Sequence, residues 1–306
     1  MSKTILMIHG RHFKPPKKSL EELWLDALRF GIERDSPSAL PNFDAARKEF
    51  VYYGDISNKF LERATGEKWK DDTASRRTTL ARLKKYKKSQ FTKAQYGKLP
   101  GASGKKEALA DVFAGFLSAV RLSDWAIKSV APDMREYWNS DSQFGSDVRH
   151  TMMVPLKKAM DRNDDIMVIS HSLGTMISYD TFWKFCRLGE YRPKYTDKKV
   201  HQWITLGSPL ADETVKRHLK GANASGVRRY PSNIVKWANV AAEDDFISHD
   251  GVVSNDYKEM KERRLVRSIT DKRIFNLGVR DGKSNPHTAM GYLVHPYVSR
   301  IVSRWV

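Results

Sequence analysis

Ser172 has the surroundings that turn a serine into a nucleophile. A serine hydroxyl attacks a carbonyl only when a base takes its proton. The chain must also lift that hydroxyl to where base and substrate meet. Four apolar residues in a row, Ile166 to Ile169, read as a buried strand, and Asn163, Asp164 and Asp165 before them are turn formers. Ser170-His171-Ser172-Leu173-Gly174 then makes a tight small-residue turn, and Thr175 to Trp183 reads as a helix. Strand, sharp turn with a central serine, helix is the local geometry of a nucleophilic serine. Such a turn strains the serine's backbone, so the residues two places either side must be small. Here they are Ser170 and Gly174. An ordinary strand-to-helix connection with small residues has the same pattern.

On this stretch the chain resembles the α/β-hydrolase family, and within it the lipase and esterase branch. The family's elbow is G-x-S-x-G, with Ser170 standing here for the first glycine. The resemblance implies an α/β-hydrolase fold: a mostly parallel sheet flanked by helices, with a helical lid or cap. Early in the chain, Thr4 to Ile8 reads as a strand followed by His9-Gly10-Arg11-His12. A histidine-glycine pair there resembles the family's oxyanion loop, where glycine lets a backbone N–H approach the substrate carbonyl oxygen. Arg11 and Leu173 are the N–H donors this implies. The strand Val200–Leu206 ends in Thr205-Leu206-Gly207-Ser208-Pro209, similar to the strand after the elbow helix in lipase-like members.

A serine hydrolase also needs a base and a carboxylate that fixes the base's tautomer. The family order is serine, acid, histidine. After the strand Ile234–Val240, with Trp237 and Asn239, the lipase branch often carries D-P-V in the next loop. Asp245-Phe246-Ile247 fits that slot, so the resemblance points to Asp245. Asp244 and Glu243 stay open as alternatives, because adjacent acids are not separable by sequence. The base it implies is His287, in Ser284-Asn285-Pro286-His287-Thr288, between the last strand and the closing helix. His171, beside the serine, is expected to shape the pocket. His249 shares the acid's loop and is poorly placed as base. His295 is expected inside the closing helix, away from the loops.

The elements that must position these residues follow from patterning. Leu20, Leu23, Trp24, Ala27 and Leu28 line one helical face after Ser19-Leu20-Glu21-Glu22, a capping box. Glu49 to Tyr53 reads as the second strand, Arg273 to Leu277 as the last, and Ala289 to Val302 as the closing helix. Strand, helix, strand at the start predicts a parallel sheet. Val148, Met152, Leu156 and Met160 mark the helix before the elbow strand. Residues 1–306 read as one domain, with 57–145 as a helical insertion. Within it Leu109, Val112, Phe113, Phe116, Leu117 and Val120 form one apolar face. In the resembled family such insertions cover the site.

Residues 57–106 carry fifteen Lys/Arg against four Asp/Glu, a balance of +11 within a chain of net charge +18. The densest part is Arg76-Arg77, Arg82, Lys84-Lys85 and Lys87-Lys88, interleaved with Leu80, Leu83, Tyr86 and Phe91. Such a run suits an anionic membrane surface. It equally suits a solvated helix face or a disordered loop. Nucleic acid is disfavoured, since the run carries no recognised motif.

One cysteine, Cys186, excludes an internal disulfide, and no signal segment opens the sequence, so a cytoplasmic location is expected, with peripheral attachment at a membrane left open by the basic stretch. No apolar run is long enough to span a membrane. No CxxC, HExxH or Gly-rich phosphate loop occurs, so no metal or other cofactor is expected. The function this implies is cleavage of carboxylic esters, lipid or phospholipid among them, through an acyl-enzyme on Ser172. The alternative is a non-catalytic scaffold binding an anionic membrane, nucleic acid or protein through its basic insertion. Oligomeric state is not legible.

Overall fold

The computed structural model describes residues 2–102, 131–248 and 251–306. Six strands form one sheet: β1 (Lys3–Ile8), β2 (Arg47–Val51), β3 (Asp165–His171), β4 (Val200–Leu206), β5 (Ile234–Ala242) and β6 (Ser268–Ile274). They lie in the order β2-β1-β3-β4-β5-β6, and every neighbouring pair is parallel. A two-stranded hairpin, β7 (Val279–Arg280) and β8 (Lys283–Ser284), follows β6.

Parallel strands need helical crossovers, so both faces of the sheet are covered and both must be apolar. Strand β1 shows this. Ile5 and Met7 point into one core with Trp24, Leu28, Val298 and Val302. Leu6 and Ile8 point into the other with Met152, Leu156, Ile177 and Phe182. The first face is covered by α1 (Lys17–Asp35) and, at the end of the chain, by two short helices. The second is covered by α5 (Phe144–Asp161) and α6 (Leu173–Arg187). Between these lie α2 (Gly54–Thr65), α3 (Thr73–Leu83) and α4 (Pro132–Trp138).

Several elements differ from their sequence reading. Helix α1 begins at Lys17, with Pro16 at its N-cap and no side-chain cap, so Ser19 lies inside the first turn. Strand β2 forms two residues before Glu49–Tyr53, and β6 forms at Ser268–Ile274 rather than Arg273–Leu277. Both are edge strands, where charged residues replace the apolar signal. The closing helix is two helices, α7 (Ala289–Leu293) and α8 (Pro296–Trp305). Pro296 cannot continue a helix but suits the first position of a new one. His295 is therefore the N-cap of α8, where its Nδ1 accepts the Tyr297 N–H at 3.1 Å.

The predicted apolar face Leu109–Val120 and His249 lie outside the described residues. Of the basic stretch, α3 packs on the body. Leu80 and Leu83 are 2% and 0% exposed and join the core around Trp24. Lys84 pairs with Asp26 on α1 at 2.6 Å. No helix among the described residues is long and apolar enough to cross a membrane.

Candidate active site

The strand order reverses between β1 and β3. The chain leaves β1 for β2 on one side and returns to β3 on the other. Open α/β sheets bind ligands at such a point, outside the carboxyl ends of the strands. The residues there are His9 to Lys14 after β1 and Ser172 after β3.

Ser172 has φ 54° and ψ −127°, outside the usual regions for a side chain, and is 3% exposed. Strain of this kind costs about 1–3 kcal/mol and persists only where neighbours impose it. Here the Ser172 N–H donates to Leu206 O on β4 at 3.0 Å, and its carbonyl accepts from Thr175 Oγ1 at 2.7 Å. The small neighbours have steric causes. A Cβ on Gly174 would lie 2.5 Å from His9 O. A Cβ on Gly10 would lie 2.6 Å from Ser172 Cβ and 3.2 Å from its Oγ. Ser170 is not merely small, because its Oγ accepts the buried Trp203 indole N–H at 2.7 Å.

Asp245 and His287 meet above the ends of β4 and β5. His287 Nδ1 lies 2.9 Å from Asp245 Oδ2 and 3.0 Å from Oδ1. A carboxylate only accepts, so Nδ1 carries the hydrogen and the neutral ring keeps Nε2 as its basic nitrogen. Asp245 is 2% exposed, and it also accepts from Ile247 N at 3.0 Å and Tyr292 Oη at 2.5 Å. The alternatives separate. Asp244 is exposed with φ 60°, and Glu243 faces Arg273 at 3.6 Å.

The two halves share a wall. His171 donates through Nε2 to His287 O at 2.8 Å, with ring centroids 4.7 Å apart. Gly207 follows Leu206, the acceptor of the Ser172 N–H. A Cβ there would lie 2.8 Å from Asp245 Oδ2 and 3.0 Å from His287 Nδ1. Burial, then the neighbouring His287, pushes the His171 imidazole well below its ordinary value.

The loop after β1 is tightly held. His9 donates through Nδ1 to Gly10 O at 2.8 Å and accepts the Tyr53 N–H at Nε2, so neither nitrogen is available as a base. Arg11 makes a two-pronged pair with the buried Asp133, Nε at 2.9 Å and Nη2 at 2.8 Å. Burial raises the Asp133 carboxyl, but Arg11 and the hydrogen bonds to it prevail and hold it below the usual range. Leu173 opens α6, so its N–H is one of the amides without an intrahelical acceptor.

Tyr292, Asp133 and Lys14 are site neighbours that the sequence reading missed. Tyr292 sits in an apolar helical run, and nothing local shows that its hydroxyl reaches Asp245. Among the described residues no His, Cys, Asp or Glu group is arranged to hold a metal. No protein-family model, curated protein or solved structure matches the chain. A functional reading therefore rests on the residues and their geometry.

Proposed function

We propose that the chain is a serine hydrolase that cleaves carboxylic esters, with Ser172 as nucleophile, His287 as base and Asp245 as the acid that orients it. One observation carries the reading: a serine in strained backbone at the carboxyl end of β3, at the switch point, on the same sheet edge as an imidazole held by a buried carboxylate. Ser172 Oγ forms a bond to the substrate carbonyl carbon and passes its proton to His287. The oxyanion lies at the backbone N–H groups of Arg11 and Leu173. Collapse breaks the ester C–O bond, and the alcohol leaves with the proton from His287. Water, losing a proton to the same imidazole, releases the acid.

The test is labelling with a fluorophosphonate, which phosphonylates an activated serine. The wild type is expected to be labelled at Ser172 alone, and Ser172→Ala not at all. Labelling that persists in Ser172→Ala overturns Ser172 as the nucleophile, and labelling absent from the wild type leaves the non-catalytic scaffold as the better account.

A further inference from the structure

Around the end of the loop that follows β1, positive charge outnumbers negative. Asp72, at the N-cap of α3, accepts from Arg76 Nε at 2.8 Å through Oδ1 and from Arg280 Nη2 at 2.6 Å through Oδ2. One carboxylate thus serves two guanidinium groups. The third cation is Lys14, 7% exposed, whose Nζ donates to the carbonyls of Arg11, His12 and Phe13. Three carbonyl acceptors engage the Lys14 Nζ, so it has no further hydrogen bond to offer and any part it plays here is through its charge. Arg11 does not add to the excess, because Asp133 matches it. A second carboxylate, Asp281, is 77% exposed and pairs with Arg280 Nε at 3.6 Å, within ion-pair range but beyond hydrogen-bond reach.

The guanidinium groups also have donors left over. Arg280 Nε is buried without a hydrogen-bond partner among the described residues. Arg76 reaches Asp72 through Nε, leaving its paired Nη groups for another acceptor. The place is specific. Arg280 lies on β7 of the hairpin that leads into the His287 loop, and Thr79 of α3 ties to that hairpin by donating to Val279 O at 2.8 Å. Lys14 ends the loop whose Gly10 touches Ser172. The charges act on the site itself: Lys14 and Arg76 are among the groups that lower the His9 and His171 imidazoles, after burial.

We propose that Arg76 and Arg280, backed by the charge of Lys14, form a subsite for a phosphate group, so that the ester cleaved at Ser172 is an acyl ester of a phosphorylated alcohol. This rests on the serine-hydrolase reading. Arg76, Arg280 and Lys14 against Asp72 and the exposed Asp281 leave the place net positive, which suits an anionic phosphate group. Guanidinium forks also suit phosphate oxygens, each presenting paired N–H groups in a plane. Burial and then Arg76 lower the Lys14 ammonium well below its ordinary value, and an arriving dianion acts the opposite way.

The test is calorimetric titration of the full chain with glycerol 3-phosphate, inorganic phosphate and glycerol. Wild type and Ser172→Ala are expected to bind glycerol 3-phosphate equally, and glycerol not measurably. Arg76→Gln and Arg280→Gln should each weaken binding by about 10- to 100-fold, the range for losing a hydrogen bond to a charged group. Arg76→Lys should fall between Arg76→Gln and wild type. Melting temperatures report folding, and if Arg280→Gln unfolds because α3 loses its tie to β7, Arg76→Gln decides. No binding in the wild type, or unchanged binding in Arg76→Gln, overturns the subsite. Inorganic phosphate binding as tightly as glycerol 3-phosphate overturns its assignment to the substrate. Fluorophosphonate labelling separates the two readings. Binding without labelling removes the hydrolase and leaves the subsite, whereas labelling without binding does the reverse.

Discussion

Asp245 accepts hydrogen bonds from His287, Ile247 and Tyr292, while Asp244, just before it, is exposed and lies toward Tyr96 rather than His287. Only a carboxylate at Asp245 can hold His287 with its hydrogen on Nδ1. Asp245→Asn presents an amide there and favours the wrong tautomer, which lowers kcat by about three to four orders of magnitude in a working triad. Asp244→Asn is expected to change it by no more than about threefold, as surface substitutions generally do little. Ester turnover by the two purified variants is the measurement. Equal losses, or the reverse order, would move the acid to Asp244. The choice between these neighbours is a matter of one residue's rotation about the chain. Sequence carries no signal for that, and the turn at Asp244, with its positive φ, decides it.

At the scale of elements, β3 and β4 are joined by more than their ladder. Ser170 on β3 accepts from Trp203 on β4, and Trp203 stacks on Trp237 of β5 at 4.4 Å. Trp237 in turn donates to Thr205, which donates to Asn239. These polar side chains are buried in the sheet layer and satisfy one another. Ser170→Gly restores the commoner elbow residue, yet it orphans the buried Trp203 N–H. The expected loss is about 1–3 kcal/mol of unfolding free energy, read from urea denaturation. A variant as stable as the wild type would mean that Trp203 finds another acceptor. Ser170, which stands for the first glycine of G-x-S-x-G, thus has a structural partner thirty-three residues away, beyond the reach of any local pattern.

The whole molecule carries a pH dependence in which the buried His295 takes part. Burial, then Arg34, lowers His295 to about 3. Above that value it is neutral in the folded chain, whereas in the unfolded chain it takes up a proton below about 6.5. Between those values the unfolded state binds more protons, so stability is present above about 6.5 and is lost as pH falls through the window. Urea midpoints should therefore decline from about pH 7 to pH 4. His295→Asn, which retains a capping oxygen for Tyr297 N, should flatten that decline, and an unchanged slope would assign it to other groups. The basic surface gives a second expectation. Arg77, Lys85, Lys87 and Lys88 are exposed, but the apolar residues of α3 are already in the core. Any attachment to acidic vesicles is therefore electrostatic, about 1 kcal/mol per cation, and should vanish near 1 M salt, where the Debye length is about 3 Å. Co-sedimentation with acidic and neutral vesicles measures it, and salt-resistant or lipid-independent binding would contradict it.

Sequence by itself determined the parallel sheet, through the strand-helix-strand order at its start and the unbroken apolar run Ile166–Ile169, and it singled out Ser172 from the small residues around it. These are local properties, written in spacing and residue size. The edge strands β2 and β6 were displaced in the reading because solvent, not the core, decides their composition. Which acid meets which imidazole, why His171 and Tyr292 flank them, and how Arg76 and Arg280 come to share Asp72 across 208 residues of chain were decided by tertiary structure alone. Such contacts join loops at the ends of separate strands. Their distances are set by sheet order and register, and no window of the sequence contains both partners.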